Sequence, residues 1–98
     1  MRDPKILEAV KQSLALLTEL APGRAIEVRI PPYAAVQCGD GPTHTRGTPP
    51  NVIEMNAETW LALASGERSW ADAMSAGLIS ASGVRADLTE LLPLEVKQ

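Results

Sequence analysis

Near the start of the chain Ile6, Leu7, Val10, Leu14, Leu17 and Leu20 recur at helical spacing. At about 100° per residue they share one half of a helix. Lys5, Glu8, Lys11, Gln12 and Glu19 take the other half. Asp3 is a good N-cap, and Pro4 suits the first turn, where a missing N–H costs nothing. Pro22-Gly23 stops the segment, so the pattern predicts an amphipathic helix over 4–20 that lies against a sheet. Ser13 sits within the apolar set, where its hydroxyl can return to a backbone carbonyl one turn earlier. From Ile26 the period changes to two. Ile26, Val28 and Ile30 alternate with Glu27 and Arg29, the pattern of a half-buried strand. Pro31-Pro32 interrupts it, because proline donates no ladder hydrogen bond. Tyr33 to Cys38 reads as a second strand, paired with the first as a hairpin.

Residues 39–50, GDGPTHTRGTPP, hold three glycines and three prolines and no apolar period. They read as a loop, and long loops in small chains often carry function. Val52 to Met55 predicts a third strand. Asn56 is an N-cap candidate for a helix over 57–65, with Glu58 near its positive end and Gly66 after its last residue. Ser69 caps a further short helix bearing Trp70, Ala71, Ala73 and Met74, which Gly77 ends. Leu78 to Ser82 predicts a fourth strand. Asp87 caps a short helix or turn within 86–92, and Pro93 closes it. With neither an internal repeat nor a linker, the expectation is one domain over residues 1–98. Its class is α+β, a small mostly antiparallel sheet covered by helices.

Composition narrows the function. Hydrophobic residues make up 45% and charged residues 21%, which indicates a globular chain and not a disordered one. The net charge is −3, aromatic residues are 3% and Phe is absent. That excludes the basic, ring-bearing surface a nucleic-acid binder needs. Cys38 is the only cysteine, so an intrachain disulfide and a Cys-built zinc site are both ruled out. Charges interrupt the N-terminal apolar stretch as they would not in a signal peptide, and no run approaches the ~20 apolar residues of a membrane span. A cytoplasmic location is the expectation. The polar face of the first helix mixes Lys5 and Lys11 with Glu8 and Glu19, which favours at most transient membrane contact. The sequence has no Ser-centred nucleophile elbow, phosphate-binding glycine loop or paired-carboxylate motif. A Cys38–His44 nucleophile pair is formally available, but Cys38 shares a strand face with Val36 and reads as a buried thiol. No catalytic residue, cofactor or metal is therefore expected.

Two residue sets are candidates for ligand binding. The apolar one comprises Leu14, Leu17, Val36, Trp60, Leu61, Trp70, Met74, Leu88 and Leu91. It lines a binding tunnel on one reading and fills a plain core on the other. Without Phe, the two Trp must fill much of the interior, and their N–H groups need partners. The polar set lies in or beside the 39–50 loop. Gln37, His44 and Arg46 would face a polar head group, with Arg46 as a fork for carboxylate or phosphate and His44 as a titrating neighbour. Asp40, Thr43 and Thr45 accompany them, and in the plainer reading all satisfy the loop's own backbone.

The segment ETWLALASGERSWADAMSAGLISASGVRADLTELLPL, residues 58–94, resembles the second half of sterol carrier proteins. There a helix ends in a LASG turn, a second helix ends at a glycine, and a strand with a further glycine follows. Gly66, Gly77 and Gly83 stand at those places here. The stretch VQCGDGPTHTRGTPPNVIE, like the chain as a whole, resembles the short bacterial branch of that family. The resemblance implies a twisted sheet with helices over one face and an apolar tunnel between the layers. It also implies non-catalytic binding or transfer of a lipid, sterol or other apolar small molecule, in a cavity of at least ~300 Å³. The chain lacks one strand and most of the C-terminal helix that covers the tunnel in longer members. An alternative follows from the same fold, which occurs as an accessory domain on enzymes that use a small thiol cofactor. A filled core would then serve a protein partner through the 39–50 surface, without a lipid. A homodimer through an unpaired sheet edge also suits so short a chain.

Overall fold

The computed structural model describes residues 3–41 and 51–94. Helix α1 spans Pro4–Leu20. The Asp3 carboxylate accepts from the N–H of Lys5 at 2.8 Å and of Ile6 at 3.5 Å, so two of the helix's orphan donors are satisfied by its cap. Strands β1 (Ile26–Ile30) and β2 (Ala34–Cys38) form the expected hairpin. The Tyr33 N–H donates to the Ile30 carbonyl at 2.8 Å and closes the turn between them. Strand β3 (Asn51–Glu54) runs parallel to β1 on its far side, and β4 (Ser80–Ser82) is antiparallel to β3. The sheet order is β2-β1-β3-β4. Two strand pairs are antiparallel and one is parallel, so this is a mixed sheet within an α+β fold.

Between β3 and β4 lie α2 (Ala57–Ser65) and α3 (Trp70–Ser75). The Asn56 side chain accepts from the Thr59 N–H at 2.8 Å, and Ser69 from the Asp72 N–H at 3.0 Å. A single 3₁₀ turn at Thr89–Leu91 follows β4. Asp87 starts it by accepting from the Thr89 N–H at 2.8 Å.

Register divides the sheet into two unlike faces. Ile26, Val28 and Ile30 stand opposite Cys38, Val36 and Ala34, and beside Asn51 and Ile53 of β3. This face takes the helices. The other face carries Glu27, Arg29, Gln37 and Glu54, with an ion pair between Arg29 and Glu27. Burial drives the first arrangement, since each fully buried Leu, Ile or Val contributes about 1.5–3 kcal/mol.

Trp60 is the largest fully buried side chain, packed in a core that includes Leu14, Leu17, Ile30, Ile53, Leu63 and Leu88. Its Nε1–H donates to Ser13 Oγ at 2.8 Å. The Ser13 hydroxyl in turn lies 2.8 Å from the Ala9 carbonyl and 3.0 Å from that of Val10. The serine inside the apolar stripe of α1 is thus the partner the buried indole requires.

The exit of α1 is stitched to the end of β2. Gly39 donates its N–H to the Ala21 carbonyl at 2.8 Å, and its own carbonyl accepts from the Ala25 N–H at 3.1 Å. Gly23, at φ +139°, passes so close that a Cβ there would stand 1.9 Å from the Gly39 oxygen. Only glycine fits that crossing.

Candidate functional site

A groove of about 1110 Å³ runs between α1 and α2. Its apolar surface comes from Ile6 and Ala9 of α1, Leu61 and Ala62 of α2, and Leu78 before β4. Glu58, Leu61, Ala62 and Ser65 follow one another at helical spacing, so one flank of α2 faces the groove. Ala9 and Ala62 bring only methyl groups to it, one from each helix. Polar groups ring the apolar part. Asn56 and Thr59 lie at the start of α2, and Glu67 and Arg68 lie in the turn beyond its end. The Arg68 N–H donates to the Ala62 carbonyl at 3.2 Å, which fixes that turn against the helix. The arrangement can hold an apolar chain along its floor and a polar group at the Glu67–Arg68 end.

Smaller recesses accompany it. One of about 190 Å³ lies between the end of α2 and the C-terminal segment, beside Leu63, Trp70 and Pro93. Arg68 borders both this recess and the groove. Another of about 510 Å³ sits over Arg85, Asp87 and Leu91.

The residues singled out from the sequence are distributed as follows. Leu14, Leu17, Trp60 and Leu88 are fully buried in the core, and Trp70 is 8% exposed. Val36, Leu61 and Leu91 are half-buried against that core. Leu61 lines the groove and Leu91 the recess over Arg85. Met74, on α3, is 43% exposed. Gln37 points from β2 on the solvated face of the sheet. His44 and Arg46, with Thr43 and Thr45, lie outside the described residues. Asp40 is exposed, and its carbonyl accepts from Arg85 Nη1 at 2.8 Å.

Of the residues lining the groove, Leu61 is among the candidates read from the sequence, and the others each have a sufficient local explanation. Asn56 caps a helix, Glu58 suits a helix start, and Ala9 and Ala62 are ordinary helix formers. Sequence reasoning passed over Asn51. That side chain is buried, donates to the Ala25 carbonyl at 2.8 Å and accepts from the Arg85 N–H at 2.9 Å. One amide thereby ties the start of β1 to the turn after β4.

Cys38 is buried, and desolvation pushes its thiol up to about 11 from an ordinary 9.0. It is held as a neutral thiol. Among the described residues no three His, Cys, Asp or Glu side chains gather to hold a metal, and no helix is long and apolar enough to cross a membrane.

Set beside known proteins, the chain matches the family model described as bacterial SCP ortholog over residues 2–94. No curated protein matches it. A match that spans α1 to α3, β1 to β4 and the 39–50 stretch shows that the chain belongs to that family, the bacterial SCP orthologs.

Proposed function

We propose that the protein is a non-catalytic carrier of a small apolar molecule, a lipid or sterol, held in the groove between α1 and α2. One observation carries this reading. The groove, about 1110 Å³, joins an apolar floor to a polar rim and is as large as the larger small-molecule sites, which run to about 1,000 Å³. Membership of the bacterial SCP ortholog family supports it. Binding would be driven by removal of apolar surface from water, at about 0.8 kcal/mol per buried CH₂. Leu61 would touch the ligand directly. Leu14, Leu17, Trp60 and Leu88 would form the firm layer beneath it, with Val36, Trp70, Met74 and Leu91 around that layer. We keep Gln37, His44 and Arg46 as proposed contacts for the polar head group of such a ligand.

Native mass spectrometry after incubation with palmitate, a palmitoyl thioester and cholesterol tests the proposal. A stoichiometric adduct that disappears in Leu61→Arg is expected. An adduct lost in Met74→Trp and kept in Leu61→Arg would move the ligand out of the groove to α3. No adduct with any of the three would sink the carrier reading.

One observation favours a second reading. Leu14, Leu17, Trp60 and Leu88 fill the space between sheet and helices at 0–1% exposure. A filled interior suits an accessory or interaction module without a lipid.

A further inference from the structure

We infer that the outer edge of β2, which no strand pairs among the described residues, pairs with the same edge of a second copy of this chain, antiparallel and centred on Val36.

The direction of the backbone groups carries this. The Met55 N–H donates to the Arg29 carbonyl at 3.2 Å, so Arg29 turns its backbone toward β3. Along a strand, successive residues turn their N–H and C=O to opposite sides, so Ile26, Val28 and Ile30 bond toward β2. Their partners Cys38, Val36 and Ala34 therefore bond toward β1. Ala35 and Gln37 are left with N–H and C=O directed away from the sheet. The edge is closed at both ends, by the Tyr33 N–H on the Ile30 carbonyl and the Gly39 N–H on the Ala21 carbonyl.

A two-fold axis at Val36 satisfies this short edge completely. Ala35 then stands opposite Gln37 of the second copy and exchanges both hydrogen bonds with it, and the symmetry repeats the exchange. All four outward groups gain partners. Val36 meets its own counterpart at the closer, non-hydrogen-bonded spacing of about 4.5 Å between Cα atoms. Val36 is the half-buried apolar residue where the core face reaches the edge, and a copy of itself covers it.

The side chains do not oppose this. Natural edge strands are blunted by charges, prolines or bulges. Ala34–Cys38 has none of these, although the chain carries −3 overall. In this register Tyr33 meets Gly39 and Pro32 meets Asp40, so no like charges face each other. The other edge, β4, is a weaker template, with three residues that are all exposed. A five-residue strand pair buries less than the ~800 Å² per partner of a standard interface, so the dimer is concentration-dependent.

Sedimentation equilibrium from micromolar to millimolar protein tests the inference, together with amide hydrogen exchange at both ends of that range. The expected result is a rise from one to two chain masses, with the Ala35 and Gln37 amides slowing in step. Ala35→Lys, a charge on the solvated side of the edge, should weaken the dimer at least about tenfold while far-UV circular dichroism stays unchanged. A single chain mass throughout would overturn the proposal. So would a dimer that ignores Ala35→Lys and leaves both amides exchanging freely.

Discussion

Replacing Ser13 by Ala tests the central packing contact. The Trp60 indole is fully buried, and its Nε1–H reaches Ser13 Oγ at 2.8 Å. Alanine removes the acceptor and leaves the N–H without a partner, a cost of about 1–3 kcal/mol. Two effects run the other way. Alanine is the better helix former by about 0.5 kcal/mol, and the back-bond from the hydroxyl to the Ala9 carbonyl disappears with the hydroxyl. The net expectation is a loss of about 1.5 kcal/mol, or roughly 6–12 °C in Tm for a chain this size. A double-mutant cycle isolates the contact. Phenylalanine at position 60 keeps the ring and lacks the N–H, so in Trp60→Phe the Ser13→Ala change should be neutral or slightly stabilising. Urea melts of the four proteins, followed by circular dichroism, give the coupling. Equal cost of Ser13→Ala in both backgrounds would refute the assignment of Ser13 as the indole's acceptor.

Three further outcomes are expected. Asn51→Ala strands both the Ala25 carbonyl and the Arg85 N–H and should cost about 2–4 kcal/mol in urea melts; a loss below that of an ordinary surface substitution would contradict the tie. Gly23→Ala drives a methyl into the Gly39 carbonyl from a positive-φ position and should destabilise more than any surface Gly→Ala, read as Tm. The Cys38 thiol titrates at about 11 in the fold against 9.0 when unfolded. Its contribution is therefore complete below pH 9.0 and lost as pH rises toward 11, by roughly 3 kcal/mol; Cys38→Ala should flatten that part of the stability–pH curve, and an unchanged slope would show that the thiol does not carry it.

How much of this was legible depended on how local the deciding contact was. Helix α1 has the bounds its periodicity and caps predict, because Asp3 and Pro22 act within one turn of it. The strands shifted at their ends for identifiable reasons. Tyr33 spends its N–H on the turn, so β2 starts at Ala34. Asn51, a poor strand former, joins β3 because its amide is answered by Ala25 and Arg85 from distant parts of the chain. The Leu78 N–H goes back to the Ala73 carbonyl, which keeps it out of β4. Cys38 was readable as a buried thiol from strand alternation alone. The groove was not readable, since it lies between the flanks of two helices, and neither helix alone shows that Ala9 and Ala62 will border one space. The parallel pairing of β1 with β3 was equally hidden, because a short apolar strand carries no mark of its neighbour's direction.

That parallel pairing has a practical consequence. It is a seam, with α1, β1 and β2 from the first part of the chain on one side and β3, α2, α3 and β4 from the second part on the other. Neither part can bury its own apolar surface: Trp60 belongs to one and its acceptor Ser13 to the other. A polypeptide cut between residues 41 and 51 therefore yields two complementary fragments, each with one antiparallel strand pair and half of the core. Such fragments are suited to reassembly by mixing, and the return of a buried-indole emission on mixing would report it.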